Sequence, residues 1–312
     1  MNCLITGGAG FIGSNLVKSL ISDGNNVRVL DNFSTGTRKN VRPFLSEIDL
    51  VEGDLRCYHV VHRAAKDVDF IFHLAALASV PRSIKNPVAT NEVNVDGTLN
   101  VLNAALTNGV RRVIFASSSS TYGDHPARSL REDMPSRPIS PYGVSKLAGE
   151  KYCQVFTSIH GLETVCLRYF NVFGPAQDGS SEYAGVVAKF ITAILQGRKV
   201  SVHGRGNQTR DFTYVDNVVQ GNLLAAKTKN VAGEVFNIAY GAQTSINEVL
   251  AHLQQLTGSP VEVARQRIRA GDIRHSQADI GKARELLGYS PSVNVAEGLE
   301  RSLKWYTGIL KP

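Results

Sequence analysis

Directly behind the short apolar run Cys3–Thr6, the chain carries glycines at 7, 10 and 13, and a helical stretch from about Phe11 to Ser22 follows them. This GxxGxxG spacing leaves few folding choices. Gly7, Gly10 and Gly13 permit a tight turn between a strand and a helix, and without side chains the backbone can approach a bound group closely. The start of the helix then presents free N–H groups and the positive end of its dipole to an anion. A glycine triplet alone is a weak signal; with a strand before it and a helix after it, it reads as a pyrophosphate cradle. The next apolar run, Asn26–Leu30, ends in Asp31. An acid at that distance can bind both ribose hydroxyls of an adenosine and repel a 2′-phosphate, favouring NAD over NADP. The competing reading is that Asp31 only caps the turn of DNFSTG. Asp54, in GDL after the third strand, has the adenine or a plain turn as its alternatives.

The first half continues this alternation. Asp49–Glu52, Phe70–Leu74, Arg112–Ala116 and Thr164–Arg168 read as buried strands. Val93–Thr107, ending near Gly109, and Tyr142–Ile159 read as helices between them. Strands alternating with helices predict an α/β fold with a Rossmann-type, doubly wound parallel sheet. In the second half, helices are expected over 182–196, 215–227, 245–256, 280–287 and 295–306, with strands over 199–203 and 234–238. We expect residues 1–170 to form the dinucleotide-binding domain, with a return at about 205–242. Residues 171–312 should mainly form a smaller, mixed α/β substrate lobe sharing an intimate interface with it.

Composition narrows the partners. The 312 residues carry a net charge of +7, but the charges are scattered. That disfavours nucleic acid and suits solubility or a small anionic substrate. Cys3, Cys57, Cys153 and Cys166 form no CxxC pair, and Cys3, Cys153 and Cys166 sit in apolar surroundings, as expected of a reducing compartment. No apolar run approaches a membrane span, and the N-terminus lacks a basic stretch. A cytoplasmic protein without a membrane partner or a metal motif is expected.

SPYGVSK places Tyr142 and Lys146 four residues apart, on one face of a helix that Pro141 can begin. An ammonium there would stabilise a phenolate and lower the tyrosine pKa, giving a general base for a sugar hydroxyl. YxxxK alone arises often by chance, and an exposed helix face is its bland alternative. Upstream, FASSSSTYG places consecutive serines at the C-terminal end of a buried strand, where ligands of open α/β sheets bind. One of those hydroxyls could shuttle the proton; a polar strand cap is the alternative.

With these motifs, GGAGFIGSNL, DNFSTG, HLAA, NVDGTLNVL, SSSSTYGD, SPYGVSK, RYFNVFGP, RDFTYVDNV and GDIRHSQADI, the chain resembles, over nearly its whole length, the extended short-chain dehydrogenase/reductases. It is most similar to their UDP-sugar 4-epimerases, those acting on UDP-N-acetylglucosamine in particular. The resemblance implies a tightly bound NAD, with Tyr142 as base, Lys146 as its partner and Ser118, four residues before Tyr122, as shuttle. Ser119 and Ser120 would face substrate or support the loop. It implies further NAD contacts at Phe11, Ile12, Asn32, Ser34, Gly36, Asp54, Leu55, Leu74, Ala75, Ala76, Asn94 and Phe170. For the nucleotide sugar it implies Ser79, Asn171, Ser201, His203, Arg210, Arg269, Asp272 and Ser276. The two arginines suit a diphosphate, because a guanidinium binds phosphate oxygens bidentately. Ala78 stands where many glucose-type members carry lysine, and Ser276 where strict UDP-glucose enzymes carry tyrosine. Both fit members that accept an N-acetyl group. A homodimer through the helices near 94–108 and 142–159 is implied by analogy.

Rival readings remain at this level. A 4,6-dehydratase or UDP-glucuronate decarboxylase needs an acid beside the catalytic Ser or Thr, and Ser117–Thr121 contains none. A 4-ketoreductase is compatible with the motifs. A non-catalytic NAD-binding protein would have no use for the Tyr142/Lys146 pair.

Overall fold

A computed structural model describes residues 1–181, 184–258, 260–267 and 275–310. The chain begins β1 (Asn2–Thr6), α1 (Phe11–Ser22), β2 (Asn26–Asp31), α2 (Arg38–Val41), β3 (Ile48–Glu52), α3 (Tyr58–Ala64) and β4 (Phe70–His73). It continues α4 (Val80–Lys85), α5 (Pro87–Asn91), α6 (Gly97–Thr107), β5 (Arg112–Ser118), α7 (Pro141–His160), β6 (Glu163–Tyr169), β7 (Val172–Phe173) and α8 (Val186–Leu195). The remainder is β8 (Val200–His203), β9 (Thr209–Arg210), β10 (Thr213–Tyr214), α9 (Val215–Lys227), β11 (Val235–Ile238), β12 (Thr244–Ser245), α10 (Ile246–Thr257), β13 (Val263–Gln266), α11 (Gly281–Leu287) and α12 (Val295–Leu310).

Seven of these strands form one parallel sheet in the order β11-β6-β5-β4-β1-β2-β3. The order reverses beside β1, and at such a switch point the loops leaving neighbouring strands diverge and open a crevice. Central strands such as β5 are buried along their whole length, hence their unbroken apolar runs. Leu16, Val17 and Leu20 of α1 pack on one face of the sheet with α9 and α11. On the other face α3, α6 and α7 pack over Leu4, Ile71, Val113 and Phe115.

One buried charge fastens the layers at the end of the sheet away from the crevice. Arg112, at the start of β5, donates to the carbonyls of Ala225 (2.6 Å), Ala226 (3.2 Å) and Thr228 (2.7 Å). These are the unpaired carbonyls ending α9, so the guanidinium caps that helix while Glu163 balances its charge.

A third cluster joins Phe173, Phe190, Tyr214, Val249 and Leu299, from α8, α10, α12 and their strands, into a second lobe. The sequence reading differs from the structure in places. The expected helix over 182–196 is described from Val186, and residues 182 and 183 lie outside the described set. The expected helix over 93–107 begins as one wide π-helical turn, Glu92–Asp96, before α6. Ala278, Ile280 and Tyr289, expected with the second lobe, pack in the core of the first. The polar run after β5 belongs partly to the strand, which extends to Ser118.

Candidate active site

The glycine turn is tight enough to exclude side chains. A Cβ on Gly13 would lie 2.1 Å from the Gly7 carbonyl oxygen, and one on Gly7, whose φ is +74°, would lie 2.7 Å from the Ala75 nitrogen. Asp31 anchors the turn from the neighbouring strand: it accepts the Ala9 N–H at 2.9 Å and the Phe33 N–H at 2.8 Å. It therefore caps its own turn and also faces the cavity. Burial raises its pKa, and the two N–H bonds oppose that shift.

A cavity of about 310 Å³ opens at these strand ends. Gly7, Gly10, Phe11, Ile12, Gly13, Asp31, Asn32, Ser34, Gly36, Asp54, Leu55, Leu74, Ala75, Ala76, Tyr142 and Lys146 all line it. Two residues expected there do not. Asn94, turned inward from the π-helical turn, is buried; it accepts the Leu77 N–H (2.8 Å) and donates to the Leu77 carbonyl (3.3 Å) and to Ser145 Oγ (3.0 Å). Phe170 is buried against Tyr122, and its neighbour Tyr169 reaches the cavity instead. Thr35, Gly53, Leu77, Val93, Ala116 and Ser117 also line it and are not singled out by the sequence; Ala78, expected to bear on substrate choice, lines it too. The signal available for them was adjacency to the predicted strand ends.

Helix α7, which carries Tyr142 and Lys146, starts as its sequence dictates. Ser140 caps α7, accepting the Gly143 N–H at 3.1 Å, and Pro141 occupies the first turn. The Tyr142 N–H, free at a helix start, donates to Ser83 Oγ at 3.1 Å. Lys146 is buried and donates to the Ala116 carbonyl at 2.8 Å. The expected lowering of the tyrosine pKa is not what this arrangement produces. Burial raises the Tyr142 hydroxyl, with a hydrogen bond to Ser118 pulling the other way. Burial also draws Lys146 down to about 8, against the influence of Cys153 and Glu150. A low-dielectric site disfavours phenolate and ammonium alike, and a charge brought by a bound group must shift that balance.

Ser118 is buried at the end of β5, accepting the Ser120 N–H and donating to Ser120 Oγ, both at 3.1 Å. Ser119 and Ser120 form the short 3-10 turn that follows. Ser117 points elsewhere: its hydroxyl donates to Glu150, which also holds Arg168. His73, between Thr6 and Thr98 hydroxyls, is held neutral by burial and, secondarily, by Lys146, its pKa falling to about 3.

The expected sugar-nucleotide residues are distributed over loops beyond the strand ends. Ser79 caps α4, accepting the Arg82 N–H at 3.1 Å. Asn171 sits at a φ of +33° and donates to the Asp211 carbonyl. Ser201 is exposed on β8, and His203 donates through Nδ1 to the Arg267 carbonyl at 2.9 Å. Arg210 donates to the Thr209 carbonyl at 2.9 Å, and the buried Ser276 donates its N–H to the same carbonyl at 3.3 Å. Arg269 and Asp272 lie outside the described residues. Among the described residues no cluster could hold a metal ion, and no helix is long and apolar enough to cross a membrane.

The sheet and its glycine-edged cavity define a nucleotide-binding α/β enzyme class with a tyrosine–lysine pair. The sequence profile of the NAD dependent epimerase/dehydratase family matches residues 3–239, and the chain belongs to that family. A putative UDP-glucose 4-epimerase of Methanocaldococcus jannaschii is 38% identical, over 97% of each chain. A UDP-N-acetyl-alpha-D-glucosaminuronate decarboxylase of Bacillus cytotoxicus is 36% identical, over 98% of this chain and 98% of its own. Among solved structures, the UDP-N-acetylglucosamine 4-epimerase of Methanobrevibacter ruminantium, in complex with UDP-N-acetylmuramic acid, superposes with a TM-score of 0.94. It is 39% identical, with 99% of this chain and 98% of that one covered.

Proposed function

We propose that this protein is an NAD-dependent 4-epimerase of UDP-hexoses, interconverting UDP-N-acetylglucosamine with UDP-N-acetylgalactosamine and UDP-glucose with UDP-galactose. The observation that carries the reading is that Tyr142 and Lys146 line the same cavity as the glycine turn and Asp31. The turn suits a dinucleotide's pyrophosphate, because Gly7 and Gly13 sit where any Cβ would strike the protein's own backbone, which lets the turn close tightly at the start of α1. Asp31 and Asn32 would hold the adenosine ribose, and the first N–H groups of α1 the pyrophosphate. NAD, when bound, supplies a hydride acceptor that later returns the hydride.

The chain's own part is proton handling and positioning. Tyr142, through Ser118, takes the proton from the sugar 4-hydroxyl as hydride leaves the same carbon. Lys146 favours the tyrosine's ionised form and holds it in place. The resulting 4-keto sugar turns over while the UDP stays held by Asn171, Arg210 and the stretch that includes Arg269 and Asp272. Tyr142 then returns its proton as hydride arrives on the opposite face. The exposed Val144, Val155 and Ile159 on α7, with Val88 on α5, support a homodimer through this side.

Decarboxylation is the reading the Bacillus relative raises, but the turn Ser117–Thr121 offers no acid to the substrate. The acid beside it, Glu150, is engaged by Arg168. Incubating the protein separately with UDP-N-acetylglucosamine, UDP-glucose and a UDP-uronate, followed by NMR of the sugar, tests the proposal. The galacto epimer is the expected product; loss of carbon dioxide from a UDP-uronate, with no epimer from either hexose, would replace it.

A further inference from the structure

Asp211 follows Arg210 in the RDF motif and is fully buried. Its Oδ1 accepts the N–H groups of Tyr240 and Gly241, both at 3.2 Å, and its Oδ2 those of Gly241 (3.1 Å) and Ala278 (3.0 Å). Its carbonyl receives the Asn171 side chain at 3.4 Å. One residue thus ties together the loop after β6, the segment between β9 and β10, the loop after β11, and the segment leading into α11. Ser276 lies two residues before Ala278, and its own N–H bonds the carbonyl of Thr209, next to Arg210. Thr209 also pairs with His275 across an isolated bridge and by a 2.9 Å side-chain bond. These segments are sequence-distant, and Phe170, Phe212, Ala239, Ala278 and Ile280 bury their apolar side chains. Burial leaves the relative placement of their polar backbone open, and there the N–H groups converge on one carboxylate, which accepts such bonds more strongly than a neutral oxygen.

We infer that Asp211 is a positioning residue for the substrate half of the site: its carboxylate holds the loop at Tyr240 and Gly241 and the segment of Ser276 and Ala278 against its own main chain, which carries Arg210 and receives Asn171, so that the UDP moiety is held while the sugar turns. The inference rests on the nucleotide-sugar reading proposed above. Asp211 does not line the cofactor cavity, so its influence falls on the nucleotide sugar and leaves the dinucleotide untouched. Asp211→Asn keeps the size but turns an amide NH₂ towards one set of N–H donors, which separates the segments.

UDP and NAD affinities are measured by calorimetry on the wild type and on Asp211→Asn, well below the melting temperature of each. UDP affinity should fall at least tenfold in the variant, with NAD affinity within about twofold. Equal loss of both, or retention of both, would show a merely structural residue and overturn the inference. Should the variant fail to fold, hydrogen exchange on the wild type decides: UDP should slow exchange in peptides covering 239–242 and 276–279 at least tenfold, and unchanged exchange overturns the inference. A wild type that binds no UDP overturns the nucleotide-sugar reading, and this inference with it; wild-type binding that survives the substitution overturns this inference alone.

Discussion

Glu150 and Arg168 pair at 2.8 Å beneath the serine turn, 1% and 4% exposed respectively. Both carboxylate oxygens take N–H bonds from the guanidinium, and Glu150 also accepts the Ser117 hydroxyl. The Arg168 guanidinium lies over the Tyr122 ring at 4.5 Å. The pair thus joins α7, β5 and β6 behind the residues proposed to be catalytic, and Glu150 stands one turn beyond Lys146.

Removing one member of such a pair leaves the other charge buried without a counterpart. Glu150→Gln should destabilise the protein by about 3–5 kcal/mol. Urea unfolding of the two proteins side by side checks this, and a loss under 1 kcal/mol would mean that water or rearrangement reaches Arg168.

Tyr142→Phe keeps the ring and removes the proton carrier. Turnover should drop by roughly 10²–10⁴-fold, while NAD binding, followed by fluorescence quenching, stays close to wild type. A variant with wild-type turnover would take Tyr142 out of the chemistry.

Gly13→Ala should abolish NAD binding, because its methyl group would sit 2.1 Å from the Gly7 carbonyl oxygen within the turn. The control is Gly161→Ala, at the end of α7, where nothing lies within 4 Å of the added carbon. It changes a left-handed position (φ +70°) and should lower stability by about 1 kcal/mol without touching NAD affinity. Equal affinity for NAD in wild type and Gly13→Ala would contradict the close approach.

His73 gives stability a definite pH dependence. Its pKa is about 3 in the folded protein against an ordinary value of 6.5, so the unfolded chain binds the extra proton throughout that interval. The stability it contributes is therefore present above pH 6.5 and is lost progressively as pH falls towards 3. The slope is at most about 1.4 kcal/mol per pH unit. Denaturant titrations between pH 4 and 8 should show it, and His73→Asn should flatten it; an unchanged slope in the variant would assign the acid sensitivity to carboxylates.

Ser276→Tyr tests the proposed part of this position in accepting an N-acetyl group. The position is buried next to Thr209, so an added ring must displace whatever lies beside it. Use of N-acetylated UDP-sugars should diminish by at least tenfold while UDP-glucose is spared. Equal losses with both substrates would remove Ser276 from specificity.

The sequence by itself determined the sheet, the glycine turn with Asp31 at the next strand end, and the common helix face of Tyr142 and Lys146. These features are local: each depends on spacing along one strand, turn or helix, and that spacing has a fixed geometric meaning. The tertiary structure decided which of two adjacent residues faces the cavity. Tyr169 lines it while Phe170 packs against Tyr122, and Ser117 turns its hydroxyl to Glu150 while the next residue, Ser118, turns its own to Ser120 in the serine turn, because one step along extended backbone reverses the side chain and the register comes from neighbouring strands. It also turned Asn94 inward, since the wide turn at Glu92–Asp96 breaks the 3.6-residue period from which a helix face is read. And it gave Asp211 its role: the backbone groups that meet there lie up to 67 residues away, and no periodicity records a convergence of loops.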